Sequence, residues 1–422
     1  MAEIKDFNRN QTLLKGKMSK EGILPSGTPK NDTGKQSDDK NQRSMDSRIA
    51  RYRHLKLYTV LIILGLLAIL IAGLYISWKR KLYIDYEVLQ QTEWTKSSDS
   101  KCMNLAGTLF TYSNDGMSCT DVKGKVIWNQ TYEMQNPIIR TCKKTVAVGD
   151  YNGRNIYISN TQENLGVVET TMPIRDFCVS ANGIVAAVLD DSTVTAIYLY
   201  SSAGDLLVSF TTTMSKSGYP IAIDISDDGT LVAVSYIKAE NGTLSSSIGF
   251  YNFAAVGQNY TDNLVGGYGY AGAVVPLVQF MNDDTVFAVA DNRLMFFKGK
   301  QKPENILDTL ISEEIQSIFY DEDHVGLVFF NPTGETTYRM EIYDTNAKKT
   351  GEINFNVDYT DIVFDTKSII IRNDSECVIY DWDNRLKFEG AFTERIFCFL
   401  PMGSISRYTV VTDKEIQIIE LQ

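Results

Sequence analysis

Residues 173–213 read PIRDFCVSANGIVAAVLDDSTVTAIYLYSSAGDLLVSFTTT, and this stretch decides the fold. It contains four short runs rich in Ile, Val, Leu, Tyr and Phe, which is the composition of buried β-strands. Turn-forming residues separate the runs, with Asn182-Gly183 after the first and Gly204-Asp205 after the third. Asn, Gly and Asp accept the backbone conformations that tight turns need. The stretch therefore predicts four consecutive strands in one small antiparallel sheet.

The four-strand unit recurs along the chain. The first strands of eight units are predicted to start near Lys101, Pro137, Ile174, Pro220, Val274, Glu314, Asp358 and Arg395. The intervals between these starts run from 36 to 54 residues. Periods of about 40–50 residues with four strands each are typical of β-propeller blades.

The third strand of five units carries a second marker, an apolar residue followed by tyrosine. These tyrosines are Tyr157, Tyr200, Tyr251, Tyr343 and Tyr380. Because they recur with the repeat, we expect them to pack between neighbouring blades. The turn after this strand is predicted to carry Gly or Asn, at Gly124, Gly204, Gly351 and Asn384.

The last unit is incomplete, since residues 395–422 supply only three strands. The segment Leu82 to Trp94 is a spare strand that can pair with this unit and close the ring, which removes exposed sheet edges. The predicted fold class is all-β, an eight-bladed β-propeller closed by its N- and C-terminal strands. A seven-bladed ring stays open as an alternative if one long unit is irregular. The least regular place is the glycine cluster Gly266–Gly272, interpreted as a rim loop.

One transmembrane helix is predicted before the propeller. Residues 57–78 read LYTVLIILGLLAILIAGLYISW and contain no formal charge. A helix of this length spans roughly 33 Å, enough to cross a hydrocarbon layer of about 30 Å. The run starts too late for an ordinary signal peptide, and no A-x-A-like cleavage site follows it. It is therefore interpreted as an uncleaved signal anchor.

Charge divides the chain into four predicted parts. Residues 1–45 form a basic, polar, disordered cytoplasmic tail, 46–56 a basic juxtamembrane segment, 57–78 the transmembrane helix and 82–422 the propeller. Residues 1–56 carry 13 Lys/Arg and 7 Asp/Glu, whereas 82–422 carry 25 Lys/Arg and 45 Asp/Glu. The excess of cations upstream of the helix favours a cytoplasmic N-terminus and a propeller outside the cell membrane. A domain this acidic argues against nucleic acid and favours cationic or neutral partners.

The sequence predicts no catalytic, cofactor-binding or metal-ligating residues. Only His54 and His324 are present, and His324 is interpreted as a solvated turn residue. The carboxylate-rich stretches Asp150–Gly153 and Asp224–Gly229 lack the distal Glu of a calcium loop and are interpreted as strand-to-strand turns. An enzyme is therefore not expected, and no cofactor is predicted.

Six cysteines lie in the propeller region, at positions 102, 119, 142, 178, 377 and 398. Cys142 and Cys178 occupy equivalent places in the first strands of neighbouring units, and Cys102 and Cys398 also fall in first strands. They are interpreted as small buried hydrophobic residues near the propeller axis. A disulfide between blades is the alternative outside the membrane.

The combination of a basic tail, one anchor helix, a closing strand and degenerate blades resembles an uncharacterised family of single-pass membrane proteins of clostridia-like bacteria, a domain of unknown function. The blades are also similar in style to WD40-like and quinoprotein-like propellers. Asp381-Trp382-Asp383 is a single reversed instance of the Trp-Asp dipeptide, and the tryptophan-docking motif of quinoprotein blades is missing. The resemblance implies no known activity.

Three functional hypotheses follow. The leading one is a membrane-tethered binding or scaffolding module for a protein or cell-envelope ligand. The second is an enzyme acting on envelope carbohydrate with a pair of channel carboxylates, and the third is a transmembrane sensor that signals through residues 1–56.

Overall fold

The computed structural model describes residues 35–95, 99–191, 194–212, 217–240, 242–332 and 334–422. The chain divides into two units, residues 1–79 and 80–422. The described part of the first unit is one helix, α1 (Lys35–Lys79), of 45 residues. Within it, Arg51–Ser77 is long and apolar enough to cross a membrane. Disorder is predicted for residues 1–45, but residues 35–45 belong to this helix, and residues 1–34 lie outside the described residues.

The second unit consists of strands and two short 3-10 turns. The first four strands after the helix segment are β1 (Tyr86–Glu93), β2 (Lys101–Leu105), β3 (Thr108–Tyr112) and β4 (Gly116–Thr120). The next are β5 (Val126–Thr131), β6 (Pro137–Cys142), β7 (Thr145–Asp150), β8 (Asn155–Asn160), β9 (Asn164–Glu169), β10 (Ile174–Val179), β11 (Val185–Asp190), β12 (Thr195–Tyr200) and β13 (Leu206–Thr212). Then follow β14 (Tyr219–Ile225), β15 (Leu231–Glu240), β16 (Thr243–Asn252), the 3-10 turns Gly257–Asn259 and Thr261–Asn263, β17 (Leu264–Ala271), β18 (Leu277–Phe280), β19 (Thr285–Ala290), β20 (Arg293–Lys298) and β21 (Glu304–Leu310). The last are β22 (Ile315–Tyr320), β23 (His324–Phe330), β24 (Tyr338–Asp344), β25 (Lys349–Phe355), β26 (Asp361–Phe364), β27 (Ile369–Arg372), β28 (Glu376–Tyr380), β29 (Leu386–Ala391), β30 (Cys398–Ser404), β31 (Arg407–Val411) and β32 (Glu415–Leu421).

These strands form eight sheets of four antiparallel strands each, so the ring has eight blades. Blades 1 to 7 take their strands in chain order, from β2–β5 to β26–β29. The eight-bladed prediction is confirmed, and the seven-bladed alternative is wrong. Every predicted blade start lies within three residues of an observed innermost strand, because the turn residues that mark the repeat also limit the strands.

The eighth blade joins the two ends of the propeller sequence. Its order is β1-β32-β31-β30, so β1 supplies the outermost strand. The pairing runs from Tyr86 opposite Leu421 to Glu93 opposite Glu415. Just before β1, Tyr83 N donates to Lys387 O of blade 7 (2.7 Å) and Ile84 N donates to Gln422 O (2.9 Å). The predicted closure by the segment 82–94 is confirmed.

Eight apolar clusters hold the ring, one at each seam between neighbouring blades. The seam between blades 4 and 5 buries sixteen residues, whereas the seam between blades 8 and 1 buries five. Burial of apolar surface contributes roughly 25 cal/mol per Å². The seam between the last and first blades therefore has the smallest apolar cluster of the eight.

The third-strand tyrosines pack against the preceding blade, as predicted. Tyr200 belongs to the apolar cluster between blades 2 and 3. Three others contact an aromatic ring, at centroid distances of 5.3 Å for Tyr157 and Tyr132, 4.9 Å for Tyr251 and Phe210, and 6.4 Å for Tyr343 and Phe296. The hydroxyl of Tyr380 donates a hydrogen bond to Asn354 O (3.2 Å).

The turn after the third strand has a recurring geometry. In blades 1, 6 and 7 an aspartate side chain accepts the backbone N–H groups two and four residues later, from Asp121, Asp344 and Asp381. The residue three positions after each aspartate has a positive φ: Gly124 (88°), Ala347 (59°) and Asn384 (67°). The predicted position Gly351 is wrong for blade 6, because it lies inside β25 and Ala347 takes the left-handed conformation instead.

The glycine cluster Gly266–Gly272 is not a rim loop. Residues 264–271 form β17, the outermost strand of blade 4, and only Gly272 of the cluster has a positive φ (69°). Blade 4 is also the longest blade, since β15 and β16 have ten residues each and pair out to Glu240 and Thr243. The hairpin between these two strands is therefore extended, and residue 241 at its tip lies outside the described residues.

We expect Tyr83→Ala to destabilise the ring and Ile84→Ala to leave it nearly unchanged. Tyr83 is 7% exposed and packs with blades 7 and 8, whereas its neighbour Ile84 is 80% exposed. Removing a buried aromatic ring costs about 3 kcal/mol, and an exposed substitution stays within about 0.5 kcal/mol. Urea unfolding of the full chain in detergent measures both. Equal effects of the two substitutions would contradict the assignment of this segment to the ring.

Candidate functional site

The innermost strands surround an axial channel, and two cavities lined by described residues lie along it and share Tyr320. One, of about 550 Å³, is lined by blades 1, 6, 7 and 8, and includes Cys102, Tyr320 and Asp361. The other, of about 170 Å³, is lined by blades 2 to 6 and includes Asp224 and Gln279. Tyr320 lines both and is 44% exposed, because its side chain projects into the water-accessible channel. The channel is the candidate binding site of the propeller.

Two faces of the ring are defined by the direction of the innermost strands. These strands begin at the N face and end at the C face, where the turns between the first and second strands of each blade lie. The 170 Å³ cavity opens among these first turns, since it includes Lys143, Asp227 and Glu322. It is therefore the C-face mouth of the channel.

Asp224 is the buried carboxyl group of the channel. It lies on β14, faces blade 5, and is 8% exposed. Its Oδ2 accepts the backbone N–H of Phe280 (2.6 Å) and the side-chain amide of Gln279 (2.6 Å). Burial raises the pKa of Asp224 to about 7, although hydrogen bonds from the backbone N–H groups of Phe280 and Ile225 act to lower it. A carboxyl group with this pKa gains or loses its proton near neutral pH.

Tyr320 continues the hydrogen-bond chain into a third blade. Its hydroxyl donates to Gln279 Oε1 (2.9 Å), so Asp224 of blade 4, Gln279 of blade 5 and Tyr320 of blade 6 are connected in series. Although the side chain is partly exposed, desolvation of its hydroxyl inside the channel raises the pKa of Tyr320 to about 12, and the carboxyl of Asp224 adds to this shift. Tyr320 therefore stays a neutral hydrogen-bond donor inside the channel.

Arg140 supplies a positive charge to the same part of the channel. Its guanidinium lies 2.7 Å from Asp176 Oδ1, and these residues occupy the innermost strands of blades 2 and 3. Burial raises the pKa of Asp176, and the adjacent Arg140 opposes that shift. Arg140 also lowers the pKa of Asp224 and of Tyr320 through its charge. One guanidinium thus acts on groups from three other blades.

Cys142 and Lys143 both bind Asp227 at the C-face mouth. The Cys142 thiol donates to Asp227 Oδ1 (3.1 Å), and Lys143 Nζ lies 2.7 Å from Asp227 Oδ2. Burial and the bond to Asp227 raise the pKa of Cys142, so its sulfur remains a protonated thiol. The reactive thiolate form is disfavoured there. This cluster joins the first turns of blades 2 and 4 across blade 3.

An acidic crescent follows the mouth over the first turns of blades 4, 5 and 6. We define it by seven residues: Asp227, Asp228, Asp283, Asp284, Asp321, Glu322 and Asp323. Adjacent turns are connected, because Asp228 N donates to Asp283 Oδ1 (2.9 Å) and Asn282 Nδ2 donates to Glu322 O (3.4 Å). Hydrogen bonds from Ser226 and Thr230 outweigh burial and lower the pKa of Asp228. The crescent is a fixed negative surface beside the channel.

His324 lines neither channel cavity. Its ring stacks on Trp382 of blade 7 at a centroid distance of 3.9 Å, and its Nδ1 lies 3.3 Å from Asp321 Oδ1. The interpretation as a solvated turn residue is therefore corrected: His324 begins β23 and joins blades 6 and 7. Trp382 of the reversed dipeptide has the same structural role and donates its indole N–H to Asp365 O (2.9 Å).

The two carboxylate-rich stretches are turns, with one exception. Asp150 accepts the N–H groups of Gln135 and Asn136, and Ser226 and Asp228 close the turn of blade 4. Asp224 belongs instead to β14 and to the channel, and the sequence analysis missed this role. The available signal was a single carboxylate between Ile223 and Ile225 in an apolar strand. In the part of the chain that the structure describes, no group of three or more His, Cys, Asp and Glu residues is placed to hold a metal ion.

Comparison with known proteins identifies the family. A protein-family sequence model matches residues 79–421. The chain belongs to DUF5711, a family of unknown function. This confirms the expected membership of an uncharacterised family. No curated protein matches the sequence of this DUF5711 chain significantly.

Solved structures similar to this DUF5711 protein have low sequence identity to it. BamB from Moraxella catarrhalis is 11% identical, with 80% of this chain and 100% of that chain covered and a TM-score of 0.43. The computationally designed Ika8 protein is 10% identical, with 81% and 100% covered and a TM-score of 0.51. The β-propeller domain of Cps50 (Swd1) from Myceliophteria thermophila is 9% identical, with 80% and 100% covered and a TM-score of 0.44. Likeness at these identities concerns the fold alone.

We expect Asp224→Asn to reduce the dependence of stability on pH. In the folded chain Asp224 keeps its proton up to about pH 7, whereas in the unfolded chain it loses the proton near 3.8. The unfolded state therefore binds fewer protons between these values, and the free energy of unfolding falls as pH rises from about 4 to about 7. A difference of about three pKa units corresponds to roughly 4 kcal/mol at most.

Urea unfolding of the full chain between pH 4.5 and 7.5 measures this effect. Asp224→Asn keeps an oxygen that accepts both hydrogen bonds but does not titrate, so its stability should decline less over this range. Asp323→Asn is the control, because Asp323 is exposed in a turn. The same pH dependence in all three proteins would contradict the assignment.

Proposed function

We propose that this DUF5711 protein is a single-pass membrane protein whose propeller lies outside the cytoplasm and binds a partner protein through a cationic segment. In this arrangement residues 1–45 are the cytoplasmic tail, 46–56 the juxtamembrane segment, 57–78 a signal anchor and 82–422 the binding module. The apolar stretch of α1 supports a membrane span. The cation excess upstream of that stretch supports the orientation.

The observation that carries the binding role is the acidic crescent beside the C-face mouth of the channel. Its seven carboxyl groups come from three successive blades, and hydrogen bonds between the turns fix their positions. The described cations next to them are Lys143 and Lys300, paired with Asp227 and Asp283 at 2.7 and 3.7 Å. A surface with this excess of negative charge attracts lysine- and arginine-rich segments and accelerates their association.

The C-face mouth of the channel contributes a cavity beside the negatively charged crescent. Its cavity of about 170 Å³ is lined by Asp227, Asp321 and Glu322 of the crescent and by Tyr320 inside the channel. A cavity of this size accepts one side chain rather than a large ligand. We infer that one basic side chain enters the mouth while its neighbours contact the crescent.

The geometry supports binding better than hydrolysis of carbohydrate. A glycosidase needs two carboxyl groups open to the sugar, one as acid and one as nucleophile or base. Inside the channel, Asp224 is 8% exposed and accepts two hydrogen bonds, Asp176 is paired with Arg140, and Asp361 lies 3.0 Å from the guanidinium of Arg372. These three carboxyl groups are therefore engaged by other groups of the propeller. The sensor hypothesis depends on the N-terminal tail, most of which lies outside the described residues.

The orientation predicts opposite fates for tags at the two ends of the chain. A protease added outside intact cells should remove an epitope tag that follows Gln422 and spare one that precedes Met1. Immunoblotting before and after cell lysis measures both, and lysis should expose the N-terminal tag. Protection of the C-terminal tag in intact cells would overturn the exported location.

The crescent predicts a salt-sensitive partner. Glu322→Gln with Asp323→Asn removes two exposed charges, while Asp321 still accepts the N–H groups of residues 323 and 324 and keeps the turn. Capture from native membranes by the full chain should fall about fivefold or more in this variant, and should also fall for the wild type as salt rises from about 50 to 500 mM. Quantitative mass spectrometry of the captured proteins measures both effects.

The matched control is Glu163→Gln with Glu169→Gln, which removes two exposed charges from blade 2. It should capture as much partner as the wild type. Capture at the wild-type level by both the crescent variant and the control would show that the crescent is not the binding surface. Capture reduced equally in both variants would indicate attraction to net charge alone.

A further inference from the structure

Cys102 and Cys398 face each other at the seam that closes the ring. Cys102 lies on β2, the innermost strand of blade 1, and Cys398 lies on β30, the innermost strand of blade 8. Both line the 550 Å³ channel cavity, and their thiols are hydrogen-bonded to each other. Each is at or next to the first residue of its strand, so the pair lies at the N-face end of the channel.

The other cysteines have partners other than sulfur or are packed in apolar cores. Cys119 donates to Thr108 Oγ1 (3.3 Å), Cys142 to Asp227 Oδ1 (3.1 Å) and Cys178 to Ala186 O (3.6 Å). Cys377 is fully buried in the cluster between blades 7 and 8. The equivalent positions of Cys142 and Cys178 in neighbouring blades thus do not produce a sulfur pair. Equivalent positions in the repeat do not predict which cysteines meet. Cys102 and Cys398 meet because they come from opposite ends of the domain.

We propose that Cys102 and Cys398 form a disulfide bond that seals the first blade to the last. The proposal rests on the exported location argued above, since disulfides persist in oxidising compartments and not in the cytosol. The bond would act at the seam with the smallest apolar cluster, which contains Cys398 itself and has Cys102 packed against it. It would tie residues that are nearly 300 positions apart in the chain. A cross-link that closes such a long loop reduces the conformational entropy of the unfolded chain strongly, and this stabilises the folded protein in the chain-entropy account.

The reaction is a thiol–disulfide exchange. Each thiol loses one proton and one electron, a bond forms between the two Sγ atoms, and the oxidant is a protein or small-molecule disulfide that becomes a dithiol. Cys102 is only half-buried and lines the cavity, so the mixed disulfide forms there first. Cys398 is 3% exposed and then displaces the oxidant. Its buried position limits attack by other thiols afterwards.

Alkylation in cells followed by peptide mass spectrometry tests the bond. Cells expressing the full chain are treated with iodoacetamide under denaturing conditions and the protein is digested with trypsin without reductant. We expect the peptide 102–123 linked to the peptide 396–407, at a mass about 2 Da below the sum of the two peptides with Cys119 carbamidomethylated. Because Cys119 shares the first peptide, the variant Cys119→Ser should give the same linked pair and Cys102→Ser should abolish it.

Thermal unfolding gives a second readout. Reduction of the purified wild type in detergent should lower Tm by about 5–10 °C. Cys102→Ser should unfold near the reduced wild type and show no dependence on reductant. Cys142→Ser is the matched control, since its hydroxyl still donates to Asp227, and it should retain the full difference between oxidised and reduced forms.

Two negative results separate the disulfide from the exported location. Six alkylated thiols in cells, together with a C-terminal tag that external protease removes, would overturn the disulfide alone. Six alkylated thiols together with a protected tag would overturn the location as well, on which the bond depends. Failure of diamide to link the two peptides in the purified full chain would show that the sulfur atoms cannot meet.

Discussion

The pairing of β1 with β32 is the constraint on which this structure depends. A row of blades without it would present unpaired strand edges and an uncovered sheet face at each end. With it, blade 8 receives its outermost strand and the seam between blades 8 and 1 can form. The hydrogen bonds of Tyr83 and Ile84 extend this contact to blade 7 and to the last residue, Gln422. The start of the propeller sequence is therefore held by the last two blades.

The closed ring also produces the candidate site. Asp224, Gln279 and Tyr320 meet because the innermost strands of blades 4, 5 and 6 converge on one axis. Arg140 reaches Asp176 of the next blade and acts electrostatically on Asp224 of the one beyond. The acidic crescent follows the same curve on the C face. Each of these clusters combines groups from more than one repeat, so none of the clusters exists in a single blade.

The regular features of the fold could be predicted from the sequence, because they depend on local patterns. Short apolar strands separated by turn residues recur in all eight units, and the tyrosine of the third strand supports the repeat in five of them. The errors fall where a local rule has an exception. Gly266–Gly272 looks like a loop by composition, but residues 266–271 pair with β16 in antiparallel register. Ala347 occupies the left-handed turn position that glycine or asparagine usually takes.

The channel could not be predicted, because its contacts join residues far apart in sequence. Cys142 and Asp227 are 85 positions apart, and Asp224 and Phe280 are 56 apart. Composition correctly showed an acidic domain but did not show where its charge lies. His324 was expected in water, and the stacking on Trp382 depends on how blades 6 and 7 are rotated against each other. Contacts of this kind form only when the blades pack against each other, so the sequence of a single repeat does not predict them.

The order of synthesis has a consequence for the pairing of β1 with β32. The ribosome makes β1 first and its partner β32 last, with more than 300 residues between Glu93 and Glu415. At about 5–20 residues per second, β1 waits roughly 15–65 s for its partner. During that time it is an unpaired edge, and its two glutamates and two adjacent glutamines reduce the risk that it aggregates. Premature termination anywhere before residue 415 therefore leaves an open ring that quality-control proteases can recognise.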